Sequence, residues 1–313
     1  MFYVVRMKMN DSLALSIEQK EPVSIVIVNY NAGTYLVDCV RTAIHAADEV
    51  IIVDNGSSDN SLVLVENTLG TQPGLNLIRT RRNLGFASAC AIGSEEATKK
   101  YILFLNPDCE LKRGTLRRLV EELEKDPKIG MVGGLLTNPD GREQGGGRRA
   151  VPTPWRSFVR AFGLNQLSDR WPRLFYDFHL HKQPLPNAPV EVEAISGALM
   201  LVRREAIQDV GQWDDGYFLH CEDLDWCMRF RQKGWKIIFV PDAPVVHHQG
   251  ACSRSRPVFV EFYKHKGMNR FYNKFFRHQY PGILMWLVTA GVWIRFTFVV
   301  LFYWLNKLKP NPS

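Results

Sequence analysis

Between residues 23 and 136, short apolar runs alternate with amphipathic helical patterns, and this alternation limits the possible folds more than any other feature. The first run, Val23-Ser24-Ile25-Val26-Ile27-Val28, is almost wholly apolar and β-branched. Such a run suits a parallel strand covered on both faces. A helix is expected next, with Leu36, Cys39, Val40, Ala43 and Ile44 on one side. Further strand patterns fall at residues 49–53, 75–79, 101–105 and 129–136. Helical patterns separate them at residues 61–69, from Phe86 to about Lys99, and around Leu116, Leu119, Val120 and Leu123. Strand and helix in repeated succession predict an α/β fold, an open and mostly parallel sheet flanked by helices. Ligands of such sheets bind beyond the carboxyl ends of the strands. Asn29, Tyr30, Asn31, Asp54 and Asp108 all fall at that edge, so one crevice is expected to gather them.

No Walker A sequence and no G-x-G-x-x-G follows the first strand, so the P-loop and dinucleotide mechanisms lack their cradle. A phosphate here needs another partner. Asp108 with Mg2+ or Mn2+ is the economical one, because such ions are commonly held by one or two carboxylates plus substrate phosphates. Downstream, Glu222, Asp223 and Asp225 stand just before a helical pattern through Leu224, Cys227 and Met228. A helix N-terminus favours negative charge, so low pKa values are expected for these acids. A carboxylate kept ionised can act as general base toward a hydroxyl delivered to it. Acidic residues are also ordinary in the first turn of a helix. Residues 190–202 read as strand with Ser196-Gly197-Ala198 inside it, and glycine in a strand marks close approach of a ligand or backbone. Residues 235–240 read as a strand stopped by Pro241, and Val245-Val246-His247-His248 as a separate short strand. Successive side chains of a strand point to opposite faces, so one of the two histidines can reach the crevice.

The net charge of +7 and pI of about 9.1 invite nucleic acid, an anionic membrane or a phosphorylated substrate as partner. The basic residues gather at 142–173 and 264–277 beside hydrophobic segments, and no aromatic-interleaved nucleic-acid module is present, which favours membrane and phosphate. Six cysteines show no C-x-x-C pair, consistent with a reduced, cytoplasmic setting. Residues 1–21 lack a signal peptide's apolar core and read as a lead-in. Residues 141–189 are rich in Gly, Pro, Arg and aromatics, among them Trp155, Phe158, Phe162, Trp171, Phe175, Tyr176 and Phe178. They fit either a mobile acceptor-facing or membrane-facing flap or a helical insertion packed on the core. After Pro257 comes a basic amphipathic helix through Tyr263, Lys264, Lys266, Arg270, Lys274 and Arg277. Residues 283–305 then carry Arg295 as their one charge and are long enough to span a bilayer. A mid-span charge is costly in lipid, which keeps an in-plane or re-entrant helix open, alongside a soluble core helix. The preceding basic cluster would sit on the cytoplasmic side.

Six collinear blocks are similar to family 2 glycosyltransferases of GT-A (Rossmann-like) fold, in the bacterial rhamnosyltransferase-like subgroup. They are VSIVIVNYN (23–31), VDNGSSD (53–59), RNLGF (82–86), LNPD (105–108), SGALMLVRR (196–204) and GQWDDGYFLHCEDLDWCMR (211–229). The resemblance implies a glycosyltransferase domain over residues 22–255, with a nucleotide-sugar half (22–136) and an acceptor and catalytic half (137–255). Residues 256–313 would then form a membrane-associated helical segment. It also implies inverting transfer of a sugar, rhamnose being one that the subgroup allows, from a dTDP- or UDP-sugar. The acceptor would be a hydroxyl of a lipid-linked or lipopolysaccharide-type saccharide at the cytoplasmic face of the inner membrane. By the same resemblance Asp54 would bind the nucleotide base, with Asn29, Tyr30, Asn31, Asn83, Gly85 and Asn106 in that pocket. Asp108, with His247 or His248, would hold the divalent cation. Asp223 would be the base, with Glu222 beside it, and Asp225, Ser196, Gly197 and Trp213 would serve the acceptor side or the structure. Three departures stand out. Asn106-Pro107-Asp108 replaces the usual D-x-D, Ala91 stands where Asn is frequent, and His220-Cys221 precede the acids where an aromatic is usual. The alternatives are a polyprenyl-phosphate glycosyltransferase, whose acceptor needs no base, and a non-catalytic sugar-nucleotide-binding relative.

Overall fold

Alternate residues of the first strand, β1 (Glu21–Asn29), face opposite layers: Val23, Ile25 and Ile27 pack in one core, Val26 and Val28 in the other. A strand buried on both sides needs apolar residues at nearly every position, which is why its sequence does not alternate. The computed structural model describes residues 20–308 except 162, 169, 172–173, 176–177, 179 and 251–255. The expected lead-in up to residue 19 therefore lies outside the described residues, as do Phe162, Tyr176 and Cys252. The chain continues through α1 (Tyr35–Ala46), β2 (Ala47–Asp54), α2 (Ser61–Leu69), β3 (Leu75–Arg79) and α3 (Phe86–Glu96). Then come β4 (Tyr101–Leu105), β5 (Cys109–Leu111), α4 (Thr115–Glu124), β6 (Ile129–Thr137), β7 (Arg148–Arg149) and α5 (Pro154–Ala161). Next are β8 (Val190–Glu191), β9 (Ala194–Ile195), β10 (Leu199–Arg203), α6 (Arg204–Val210), α7 (Glu222–Gln232) and β11 (Lys236–His247). Two helices end the chain, α8 (Pro257–Phe276) and α9 (Gly282–Leu308).

The main sheet has the order β3-β2-β1-β4-β10-β6-β11-β5, with β8 added to β11. It is parallel from β3 to β4, as expected, but its second half is mixed. β10 is antiparallel to both β4 and β6, and β5 and β8 are antiparallel to β11. Leu36, Cys39, Val40, Leu116, Leu119 and Leu123 of α1 and α4 fill one layer. Ala89 and Cys90 of α3 join Leu224, Trp226 and Phe230 of α7 in the other.

Two expectations change, and one of two alternatives is favoured. Residues 190–202 are not one strand. The turn at Ser196-Gly197-Ala198, closed by Leu199 N–H to the Ser196 carbonyl (3.2 Å), breaks the run, and β9 leaves the main sheet to pair with β7. β11 is not stopped by Pro241. It continues to His247 through a register shift between Val240 and Pro244, where residues 241–243 have no ladder partner in β6, β8 or β5. A proline fits there because an unpaired edge needs no N–H and a bulge tolerates its absence. The described residues of 141–189 favour a helical insertion packed on the core: the Ser157 and Tyr272 hydroxyls of α5 and α8 meet at 2.7 Å, although Trp155 stays 45% exposed. α8 belongs to the body too, burying Phe271, Tyr272 and Phe276 in the second layer.

Candidate functional site

The strand-end loops are held by asparagines. The Asn29 amide donates to Asp54 Oδ1 (2.9 Å) and to the hydroxyls of Ser57 (3.1 Å) and Ser61 (2.9 Å). Asn29 is 0% exposed and holds Asp54, itself 5% exposed, at the strand end. Asn31, at φ 53°, accepts the Ser58 (2.8 Å) and Asp59 (3.2 Å) amides on its Oδ1. Asn55, absent from the expected site, ties the next loop in: it donates to Asn83 Oδ1 (3.1 Å) and the Gly85 carbonyl (3.1 Å) and accepts Leu84 N–H (2.9 Å). Gly85 has φ 90° and ψ 163°, a region essentially reserved for glycine. A Cβ there would lie 2.7 Å from the Phe218 carbonyl, which accepts the first N–H of α3 at 2.8 Å. Tyr30 is half-buried, and its hydroxyl accepts from Arg256 (3.3 Å).

β5 sets the second group. Its antiparallel register puts His247 opposite Cys109, so His247 Nε2 lies 3.2 Å from Asp108 Oδ1. One ligand atom from each of Asp108, Cys109 and His247 falls within 4.8 Å of the others. The Cys109 thiol is turned to the Ala198 carbonyl (3.6 Å), leaving the carboxylate and the imidazole. Gln144 accepts on Oε1 from His247 Nδ1 (2.5 Å), while its amide donates to Asn138 Oδ1 and the His247 carbonyl. That arrangement directs Nδ1–H to Gln144 and leaves Nε2 facing a carboxylate oxygen. An imidazole nitrogen and a carboxylate so placed, with a partner behind the ring, fit a divalent ion completed by phosphate oxygens. His248, one residue past β11, donates its N–H to the Asp108 carbonyl (2.9 Å), while its ring bonds Glu110 (2.8 Å) and packs on Tyr35.

The acidic helix α7 begins as expected, but its acids have unlike surroundings. Asp223 is paired with Arg149 and also accepts Gly197 N–H (3.1 Å) and Leu224 N–H (2.7 Å), with its side chain 13% exposed. Glu222 is 6% exposed and its Oε2 has no hydrogen-bond partner. Burial, reinforced by neighbouring Asp223, pushes the Glu222 carboxyl above the ordinary range, the opposite of the low pKa expected from the helix dipole. Asp225 is 0% exposed and clamped by Arg229 (2.7 Å) and Lys274 (2.6 Å), and Trp213 packs on Trp226 (4.2 Å between ring centroids) and Phe104. Both residues are packed into the body.

The turn Ser196-Gly197-Ala198 joins the two acidic groups. Gly197 N–H meets Asp223, while the next residue's carbonyl accepts Asn106 N–H (3.0 Å) and the Cys109 thiol. Asn106 and Asp108 thus stand on one side of this turn and Asp223 on the other. Ser196 N–H bonds the Gly147 carbonyl (3.0 Å), which anchors the loop that carries Gln144 to the cation group and Arg149 to Asp223. Arg149 was visible in the Gly145-Gly146-Gly147-Arg148-Arg149 stretch, but nothing local in that stretch points to Asp223.

The sequence pattern of the family described as Glycosyl transferase family 2 matches residues 24–211. The N-acetylglucosaminyl-diphospho-decaprenol L-rhamnosyltransferase of Mycobacterium tuberculosis is 27% identical over 247 residues, covering 74% of this chain and 78% of that protein. Among solved structures, GalNAc-T7 with UDP, GalNAc and Mn2+ aligns with a TM-score of 0.53 at 21% identity. The alignment covers 72% of this chain but only 43% of the GalNAc-T7 chain. Mannosyltransferase PcManGT from Pyrobaculum calidifontis, in complex with GDP-Man and Mn2+, aligns with a TM-score of 0.55 at 16% identity, covering 88% of this chain and 70% of that one. At these identities the two structures speak for the fold.

Proposed function

Because the chain belongs to glycosyl transferase family 2 and is a glycosyltransferase, we propose that its cleft performs an inverting transfer onto a saccharide hydroxyl. The donor is a dTDP- or UDP-sugar, rhamnose being the first sugar to test, and the acceptor is a lipid-linked saccharide. The M. tuberculosis relative supports both choices, since its name couples rhamnosyl transfer to a lipid-linked acceptor. One observation carries the reading: two consecutive residues, Gly197 and Ala198, touch Asp223 on one side and the Asn106–Cys109 loop on the other.

Asp54, oriented by Asn29, meets the nucleotide base beside Tyr30 and Asn31. Asp108 and His247 would hold a divalent cation, Mg2+ or Mn2+, which when bound neutralises charge on the leaving diphosphate. Asp223 takes the proton of the acceptor hydroxyl as its oxygen attacks the anomeric carbon from the face opposite the diphosphate, and configuration inverts. Arg149 and the Gly197 amide hold Asp223 in place for that step. Glu222 is buried with an unpartnered oxygen and burial pushes its carboxyl up, which leaves Asp223, held by Arg149 and the Gly197 amide, as the acid placed to serve as base. The apolar α9 attaches the enzyme at the cytoplasmic face of the membrane, where lipid-linked acceptors are held.

Replacing Asp223 by asparagine tests the reading. General-base catalysis is worth about 10²–10⁴-fold, so transfer to a hydroxyl should fall by that order while donor binding persists. Undiminished turnover would remove Asp223 from the chemistry. If transfer survived only with a polyprenyl phosphate, the acceptor would be a phosphate. A thermal-shift series with dTDP-, UDP-, GDP- and CMP-sugars, with and without Mn2+, identifies the donor through ligand-linked stabilisation.

A further inference from the structure

We infer that α8 and α9 form a hairpin that lies flat on an anionic membrane surface, so that α9 enters one leaflet lengthwise and does not cross the bilayer. The inference rests on the membrane attachment proposed above and specifies its geometry.

α9 supplies the apolar partner. Its segment Gly282–Asn306 is long and apolar enough to cross a membrane, and only 11% of its most apolar stretch is buried. Ile283, Trp286, Phe298 and Phe302 are widely exposed. Yet α9 runs antiparallel to α8 and is bonded to it at successive levels. Thr289 donates to Asn269 (3.0 Å), Arg295 to His265 Nε2 (2.9 Å), and Phe262 meets Trp293 and Phe296 with ring centroids 5.8 and 5.9 Å apart. His265 Nδ1 lies 2.7 Å from the Glu261 carbonyl and donates to it, so the ring is neutral and Nε2 accepts from Arg295. The charge in the middle of α9 is therefore held at the α8 seam.

α8 cannot follow α9 through lipid. It has 20 residues, about 30 Å of helix, which is the thickness of the hydrocarbon layer itself. Lys266, Arg270, Lys274 and Arg277 are exposed along it. α8 is also fixed to the body: Lys274 bonds Asp225, and Gly267 approaches so closely that a Cβ would lie 2.6 Å from the His220 carbonyl. Standing α9 upright would drag these cations, and the body behind them, into hydrocarbon, where charge is costly. Laid flat, the hairpin puts the apolar face of α9 into the acyl boundary and the α8 cations at headgroup level, the arrangement of interfacial helices. Lys266, Arg270 and Lys274 also line, with Gly216, Asn269 and Asn273, a groove of about 640 Å³, in which Arg270 pairs with Asp214 and Lys274 with Asp214 and Asp225, so Lys266 in the groove and Arg277 beyond it are the cations offered to headgroups. The N-terminal end of α8 reaches Tyr30 through Arg256 and its middle presses on His220 and Cys221 just ahead of Asp223. This places a lip of the cleft at the level where a lipid-linked hydroxyl stands.

The test uses the full chain in sealed vesicles containing anionic lipid, with one protease site inserted in the exposed turn at Gly70 and Thr71 and another appended after Ser313. Flat seating predicts that both sites are cut from the same side of intact vesicles. It further predicts that Lys266→Ala with Arg277→Ala weakens binding about 25-fold, roughly fivefold per cation. Protection of one site until detergent is added would overturn the inference while leaving membrane attachment standing. Failure to float with vesicles at all would remove the attachment itself.

Discussion

Glu222 and Asp223 are neighbours in sequence at one helix N-terminus, and the dipole acts on both. Their difference comes from what surrounds each carboxyl. Arg149 and two amides meet Asp223, whereas Glu222 points an unpartnered oxygen into the core. Adjacent acids in a sequence cannot reveal this, because Arg149 arrives from a loop more than seventy residues away. The consequence is a pH dependence of stability. The folded-state pKa of Glu222 lies above its ordinary value near 4.5, so folding takes up a proton in the window between the two. The stabilising contribution is full below the unfolded pKa and is lost as pH rises through the folded one. Glu222→Gln, which keeps the shape and stays neutral, should therefore raise the melting temperature at pH 8–9 by about 3 °C, for about 1 kcal/mol. Thermal unfolding across a pH series should show that gain shrinking toward pH 5. A gain that grew in acid would contradict the assignment.

Among the elements, those built from local periodicity were legible and those built from long-range register were not. β1 to β4 and the helices between them follow from apolar spacing, and all the expected inward residues of α1 and α4 are buried. β5 is only three residues, Cys109-Glu110-Leu111, too short to carry a periodic signal, yet its pairing with β11 is what brings His247 to Asp108. Strand alternation left both histidines as candidates, and the register with β5 is what sets the His247 ring beside Asp108 and the His248 ring beside Glu110. Gln144 then fixes the chosen ring. Gln144→Leu should weaken Mn2+ binding in the presence of a nucleoside diphosphate by about 10–100-fold, as loss of a partner behind a ligating histidine does. Calorimetric titration with Mn2+ reads this directly, and an unchanged affinity would separate His247 from the ion. The Asn55–Gly85 clamp gives a second test: Gly85→Ala, forced into a conformation costing about 1–3 kcal/mol and against the Phe218 carbonyl, should lower thermal stability and donor affinity together.

At the scale of the molecule, α8 packs back across the boundary expected near residue 256. Phe271, Tyr272 and Phe276 of α8 belong to the same core layer as Trp226 and Phe230, and Lys274 bonds the wholly buried Asp225. The break in composition was legible because α8 is basic and α9 apolar. The packing was not, since the buried stripe of α8 is aromatic and interrupted by His265 and Gly267. Removing residues 257–313 deletes three buried aromatic side chains at about 3–5 kcal/mol each, a sum comparable with the whole stability of a domain, about 5–15 kcal/mol. That shortened chain should show no cooperative unfolding transition. Removing only residues 281–313 deletes α9, whose buried side chains among the described residues are Met285 and Val292, and should cost about a few kcal/mol. The second variant should keep a cooperative transition and Mn2+-dependent donor binding, transfer sugar to a water-soluble acceptor and no longer float with vesicles. Scanning calorimetry and flotation of the two variants separate the roles of the helices: α8 completes the core against which the base helix rests, and α9 gives that core its surface to sit on. A cooperative transition in the chain lacking both would show that the catalytic layers close without α8.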